Sequence, residues 1–187
     1  VENQTFKNIE IILISGFSTD GTEKEILELC EEYKNIKYMQ QHNRNHKAGG
    51  ARNRGLELAT GEYIVFLDGD DRLAEDNVLE RLDNVIGSDT PDITYMGFEM
   101  EGDETKIIIP TEETCTKTYK AAIDKYANVW SKCWRRKFLE ENNIIFNEGR
   151  FYEDLLFVYN GVMKSQSYKI ADFVVHKYTR HRANSIS

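Results

Sequence analysis

The chain has 187 residues, enough for one α/β domain with a hydrophobic core and cramped for two. With 40% hydrophobic and 30% charged residues, two prolines and a formal net charge of −8, it reads as globular, which excludes extended disorder and disfavours nucleic acid as a partner. The longest apolar run, Ile11 to Ile14, is far below the roughly 20 residues that span a bilayer, and Val1-Glu2-Asn3-Gln4 has no signal-peptide character.

In chain order, Ile9-Glu10-Ile11-Ile12-Leu13-Ile14 is a β-branched run suited to a buried strand. Ser18 to Gly21 follows as a turn, and Thr22 with Glu25 forms a capping-box pattern at a helix start. That helix places Ile26, Leu29, Cys30 and Tyr33 on one face, so Cys30 is expected in the core. Ile36 to Gln40 reads as a second strand. Gly49-Gly50 opens a helix through Ala59, closed by Gly61, and Tyr63 to Leu67 is a third strand. The third strand is apolar throughout, which predicts a central place in a parallel sheet. Strands separated by helices of this length predict a βαβ, Rossmann-like, mainly parallel sheet.

After residue 87 the rhythm changes. Ile93 to Glu101 and Lys106 to Ile109 look like antiparallel strands around Gly102-Asp103. A helical stretch is expected from about Lys117 to Asn142, broken near Val129, with a further helix from near Tyr152 and a last strand from Phe173 to Arg180. No linker divides the halves, so residues 1–187 read as one domain with halves 1–87 and 88–187. Two basic islands, Lys132 to Lys137 and Arg180-His181-Arg182, suit either a local anionic ligand such as a diphosphate or a solvated face. Three cysteines without metal-ligand spacing read as reduced thiols of a cytoplasmic protein.

Two acidic clusters stand out. Asp68-Gly69-Asp70-Asp71 ends the third strand, and ligands bind at that edge of an open parallel sheet. Its carboxylates suit one hard divalent cation, Mg²⁺ or Mn²⁺, or else an Asp/Gly turn that caps the next helix. Glu153-Asp154 precedes the apolar run Leu155 to Tyr159, where acids favour a helix N-terminus.

The stretch Ala51 to Leu73 closely resembles the core signature of the family-two glycosyltransferases with the GT-A fold. An Ala-Arg-Asn-x-Gly helix start is followed by Ala-x-Gly-Glu-Tyr and an apolar strand ending in Asp-x-Asp-Asp. Asn3 to Glu10, Ser18 to Thr22, Trp130 to Leu139 and Phe146 to Asp154 resemble further family segments in the same order. The resemblance implies transfer of a sugar, with inversion, from a nucleotide-diphosphate sugar to a hydroxyl of a glycan, polysaccharide or lipid-linked acceptor. It makes residues 1–87 the donor half and 88–187 the acceptor half. Asp154 would be the general base, with Glu153 orienting the loop or an acceptor hydroxyl. Asp70 would bind the metal, Asp68 the ribose or the metal's water shell, and Asp71 would support the site as a helix cap. Arg52 and Asn53 would touch the donor or hold sheet and helix together. Arg180 falls on a family arginine and Arg182 on its usual histidine position, so either could clamp the diphosphate, whereas His181 lies one residue early. A lipid-linked acceptor would fit peripheral association with the inner membrane face.

Two departures qualify the resemblance. Most members begin with a strand, a loop and a helix ahead of the position of Asn3, so a missing first strand is expected. The family's acidic pair after its second strand reads Ile14-Ser15-Gly16 here, which leaves Ser15 only a hydroxyl to offer the donor. Ser15 and Gly16 favour an alternative, a donor-binding module of the same fold without efficient turnover. A remoter alternative is a phosphatase of the haloacid dehalogenase type, whose Asp-x-Asp strand motif Val65 to Asp71 mimics, although Arg72 stands where that motif has Thr or Val.

Overall fold

The computed structural model describes residues 1–16, 21–41, 43, 46–102, 104–115 and 127–179. The first apolar run forms β1 (Ile11–Ser15) and the next forms β2 (Ile36–Gln40), joined by α1 (Thr22–Glu32). The strands pair in parallel from Ile11 opposite Ile36 to Ser15 opposite Gln40, as a helical crossover requires. Gly21, in the left-handed region at φ 93°, is the N-cap of α1, so Thr22 is already inside the helix and does not cap it. The apolar stripe of α1 is only partly covered: no residue of the helix is buried, Leu27 is 50% exposed, and Cys30 is half-buried, not in the core as expected.

α2 (Lys47–Leu58) leads into β3 (Tyr63–Val65), and β4 (Arg72–Leu73) and α3 (Val78–Ile86) follow. β5 (Ile93–Glu101), β6 (Lys106–Ile108), β7 (Lys132–Arg135) and β8 (Tyr168–Thr179) complete a second sheet, with α4 (Arg136–Glu141) and α5 (Glu153–Lys164) between β7 and β8. Its order is β3-β7-β5-β8-β4, with β6 also on β5. Among the described residues only β5 and β8 run parallel within it; β3–β7, β5–β7, β4–β8 and β5–β6 are antiparallel. The sheet is therefore mixed where a mainly parallel one was expected, and β3 lies at its end, paired with β7, not at the centre of a parallel array. The physical reason is local. β6 follows β5 after four residues, too few for the crossover that a parallel neighbour needs.

The expected helix over 117–142 is also revised. Residues 116–126 lie outside the described residues, Val129–Ser131 is a single 3₁₀ turn, Lys132–Arg135 is β7, and only Arg136–Glu141 is helical. β7 is short and begins with a lysine, so its pattern carries no strand period, yet Cys133 and Trp134 are 1% and 0% exposed between β3 and β5.

Apolar side chains fill both faces of this sheet. Phe66, Phe98, Trp134, Phe146 and Phe157 form one cluster, and α3 packs Val78, Leu82 and Ile86 against Met96, Ala171 and Val175 on the other. Burying each large side chain contributes about 1.5–3 kcal/mol. Among the described residues β1 pairs only with β2 and β3 only with β7. A cleft of about 280 Å³ is lined by Ile12 and Ile14 of β1, Ile64 of β3, and Ala51 and Gly55 of α2, with Arg52, Asp68 and Gly69 also on its wall.

Candidate active site

Arg52 joins the two acidic clusters. It lies on α2, and the helix is fixed to the chain before α5 by its neighbour Asn53. That amide donates to the Phe146 carbonyl at 3.0 Å and to Glu148 Oε1 at 3.1 Å, and accepts from the Phe146 N–H at 2.9 Å. Gly49 permits the close approach, because a Cβ there would lie 2.8 Å from the Asn147 carbonyl oxygen and 3.3 Å from Glu153 Cγ. Held this way, the Arg52 fork donates through Nη2 to Asp68 Oδ1 at 2.9 Å and through Nη1 to Glu153 Oε1 at 2.7 Å and to Asp154 Oδ1. The strand-end cluster and the helix-start pair thus meet on one guanidinium. Side-chain exposure is 12% for Arg52, 14% for Glu153, 20% for Asp154 and 39% for Asp68.

Asp154 is held from a second direction, since the Val129 backbone N–H donates to its Oδ2 at 3.1 Å. Burial lifts its carboxyl to about 6, Arg52 and the Val129 N–H oppose the rise, and Glu153 and Asp68 add to it. The residue before the pair, Tyr152, occupies the left-handed region at φ 57°. Such backbone strain is uncommon outside turns and functional sites.

Asp68 is half-buried at the end of β3, and Asp70 is exposed two residues on. Asp71 does not cap a helix. Its side chain is fully buried, Oδ1 accepts from the Thr179 N–H at 3.0 Å, and Oδ2 meets His176 Nε2 at 2.9 Å. It therefore pins the end of β8, immediately before Arg180. Arg180, His181 and Arg182 lie outside the described residues. The Ser15 hydroxyl shares a 2.8 Å hydrogen bond with the Tyr38 hydroxyl, one residue beyond Ile14 of the cleft wall.

The first basic island is not an anion site. Arg135 pairs with Asp92, Arg136 donates to the Gly61 carbonyl at 2.8 Å and pairs with Glu140, Lys137 pairs with Glu141, and Lys132 is buried. Two participants escaped the sequence, the Val129 N–H and His176, because a backbone donor leaves no sequence signal and a lone histidine in a strand shows no partner. Among the described residues no group of three or more metal-ligating side chains is gathered. Magnesium-like sites nevertheless take one or two carboxylates plus substrate oxygens, and the oxygen donors of Asp68 and Asp70 fit that chemistry.

The model for Glycosyl transferase family 2 matches residues 1–159. This chain belongs to glycosyltransferase family 2. Among its relatives, the glycosyltransferase EpsJ of Bacillus subtilis is 29% identical over 98% of this chain and 56% of its own length. The cholesterol galactosyltransferase of Borreliella burgdorferi is 32% identical over 87% of this chain and 49% of its own. The chain spans about half the length of these curated relatives. S. aureus TarS 1-349, solved with UDP-GlcNAc, superposes with a TM-score of 0.80 at 21% identity over 97% of this chain and 53% of that one. The mannosyltransferase PcManGT of Pyrobaculum calidifontis, solved with GDP-Man and Mn²⁺, gives 0.66 at 16% identity over 93% and 49%. These likenesses establish the GT-A fold, and family membership removes the phosphatase alternative. Among the described residues no helix is long and apolar enough to cross a membrane.

Proposed function

We propose that this chain transfers a sugar, with inversion, from a nucleotide-diphosphate sugar to an acceptor hydroxyl, with Asp154 as general base. The observation that carries the reading is the Arg52 fork, which gathers Asp68 at the strand end and Asp154 at the helix start. In the transfer, the acceptor oxygen bonds to the anomeric carbon as the bond from that carbon to the diphosphate breaks. The acceptor proton passes to Asp154, and attack opposite the leaving group inverts the centre. A carboxyl at about 6 is ionised at neutral pH and a better proton acceptor than an ordinary aspartate. Glu153, on the same guanidinium, orients the acceptor side. Asp68 and Ser15 address the donor, while Arg180 and Arg182, outside the described residues, would grip diphosphate oxygens.

Asp70, with Asp68, would hold a divalent cation, Mn²⁺ or Mg²⁺. When bound, the cation supplies charge neutralisation for the departing diphosphate. Neighbours of the same fold solved with Mn²⁺, and with UDP-GlcNAc or GDP-Man, support this reading. A glycan or lipid-linked acceptor fits as well, since one relative is a glucosyltransferase named for an undecaprenol-linked substrate.

The test is a thermal-shift titration against a panel of nucleotide-diphosphate sugars, with and without Mn²⁺. Binding to the folded state alone stabilises by about 2.7 kcal/mol at a hundredfold excess over Kd. One donor class should raise the melting temperature more with Mn²⁺, and Asp70→Ala should erase the Mn²⁺ increment. An increment that survives Asp70→Ala in a folded variant contradicts the metal role. Donor binding without transfer in any acceptor assay would instead favour the donor-binding module.

A further inference from the structure

We propose that Lys132 is a positioning residue for Asp154, bracing the turn that aims the carboxylate and placing a positive charge on its core side. The inference rests on Asp154 being the base. Lys132 is 0% exposed, and burying an ammonium costs several kcal/mol unless partners offset it. Its Nζ donates to the Asn128 carbonyl at 3.0 Å and to Ser131 Oγ at 3.2 Å, and lies 5.6 Å from the centre of the Tyr95 ring. Asn128 precedes the 3₁₀ turn Val129–Ser131 and Ser131 ends it, and the Asn128 carbonyl shares its peptide group with the Val129 N–H.

Val129 is held through both of its backbone groups. Its N–H donates to Asp154 Oδ2 at 3.1 Å, and its carbonyl accepts from Trp134 Nε1 at 3.2 Å. A shift of the turn would therefore reaim the carboxylate, and misplacement of a reacting group by about 1 Å can cost 10²-fold in rate. Among the described residues, charged groups face the pair from several elements. Asp154 faces Arg52 from α2, Glu153 from its own helix and Asp68 from the end of β3. Lys132 faces Asp154 and Cys115, with Tyr95 of β5 beside it. Burial brings Lys132 down to about 7, and the Asp154 carboxylate pulls it back up. The attraction is mutual, so the ammonium also favours the ionised form of Asp154.

The experiment compares Lys132→Met, Lys132→Gln and Asp154→Asn for kcat, donor affinity, pH profile and melting temperature. Lys132→Met keeps the volume and should melt at or above wild type, because an apolar isostere in place of a buried charge is often neutral or stabilising. Its kcat should fall about 10- to 100-fold with donor affinity unchanged. The acid limb of its profile should move up by about one pH unit. Lys132→Gln restores a donor to the turn without the charge, so part of kcat should return while the limb stays displaced. Wild-type kcat and limb in Lys132→Met, with Asp154→Asn inactive, would overturn the inference and spare the base assignment. A fully active Asp154→Asn would overturn the base assignment itself. If Lys132→Met does not fold, Ser131→Ala removes one partner of the ammonium and should lower kcat at constant donor affinity. Wild-type kcat there would count against the brace.

Discussion

Arg52 divides one positive charge among Asp68, Glu153 and Asp154, so its shape matters as much as its charge. Lysine can keep the charge but cannot present two nitrogens to opposite groups at once. Arg52→Lys should therefore fold, lose more than tenfold in kcat, and raise the acid limb, because Asp154 loses a close partner. Arg52→Ala should cost about 3 kcal/mol in urea denaturation, since breaking a largely buried pair strands its carboxylates. The wild-type profile follows from the raised carboxyl: Asp154 is protonated and idle below about 6 and ionised above it, so kcat/KM should climb with pH through that value. A limb near 4, the ordinary aspartate range, would show that burial does not govern the group. Stability has the opposite sign. A folded pKa above the unfolded one means the native state binds more protons, so this group's contribution declines as pH rises from about 4 to 6.

At the scale of elements, α5 approaches β7 through Gly161. A Cβ there would lie 2.3 Å from Cζ3 of the fully buried Trp134. Gly161→Ala should overpack the core by about 1–3 kcal/mol and displace α5, which begins with Glu153-Asp154, so a loss of kcat should accompany the lower denaturation midpoint. Asp71 fixes another element. Asp71→Ala leaves the fully buried His176 without a partner for its Nε2 and frees the Thr179 N–H, at a cost of about 1–3 kcal/mol in denaturation. Elements with a clean period were legible: Ile11–Ser15, Ile36–Gln40, Ile93–Glu101 and the helix after Asp154 each match an apolar run or stripe. β7 was not, because its buried lysine and flanking arginines imitate a solvated helix, and only pairing with β3 and β5 makes them a strand. Strand direction was hidden for a similar reason, since it depends on how the chain returns.

On the scale of the whole molecule, the site joins segments that no local pattern connects. The acidic cluster after β3 and the acids opening α5 were each visible as motifs, and the resemblance assigned them one site. Their contact through Arg52 depends on α2 crossing between them. Ser15 remains apart from that contact and is bonded to Tyr38. The central claim is that these pieces form a donor site faced by a base. The most direct test is single-turnover transfer by Asp154→Asn at saturating donor, with donor Kd measured on the same preparation. The amide keeps the shape of the carboxylate and removes its capacity to accept a proton. Transfer should fall about 10²–10⁴-fold with donor Kd within twofold of wild type. Near-wild-type transfer by Asp154→Asn would contradict the account.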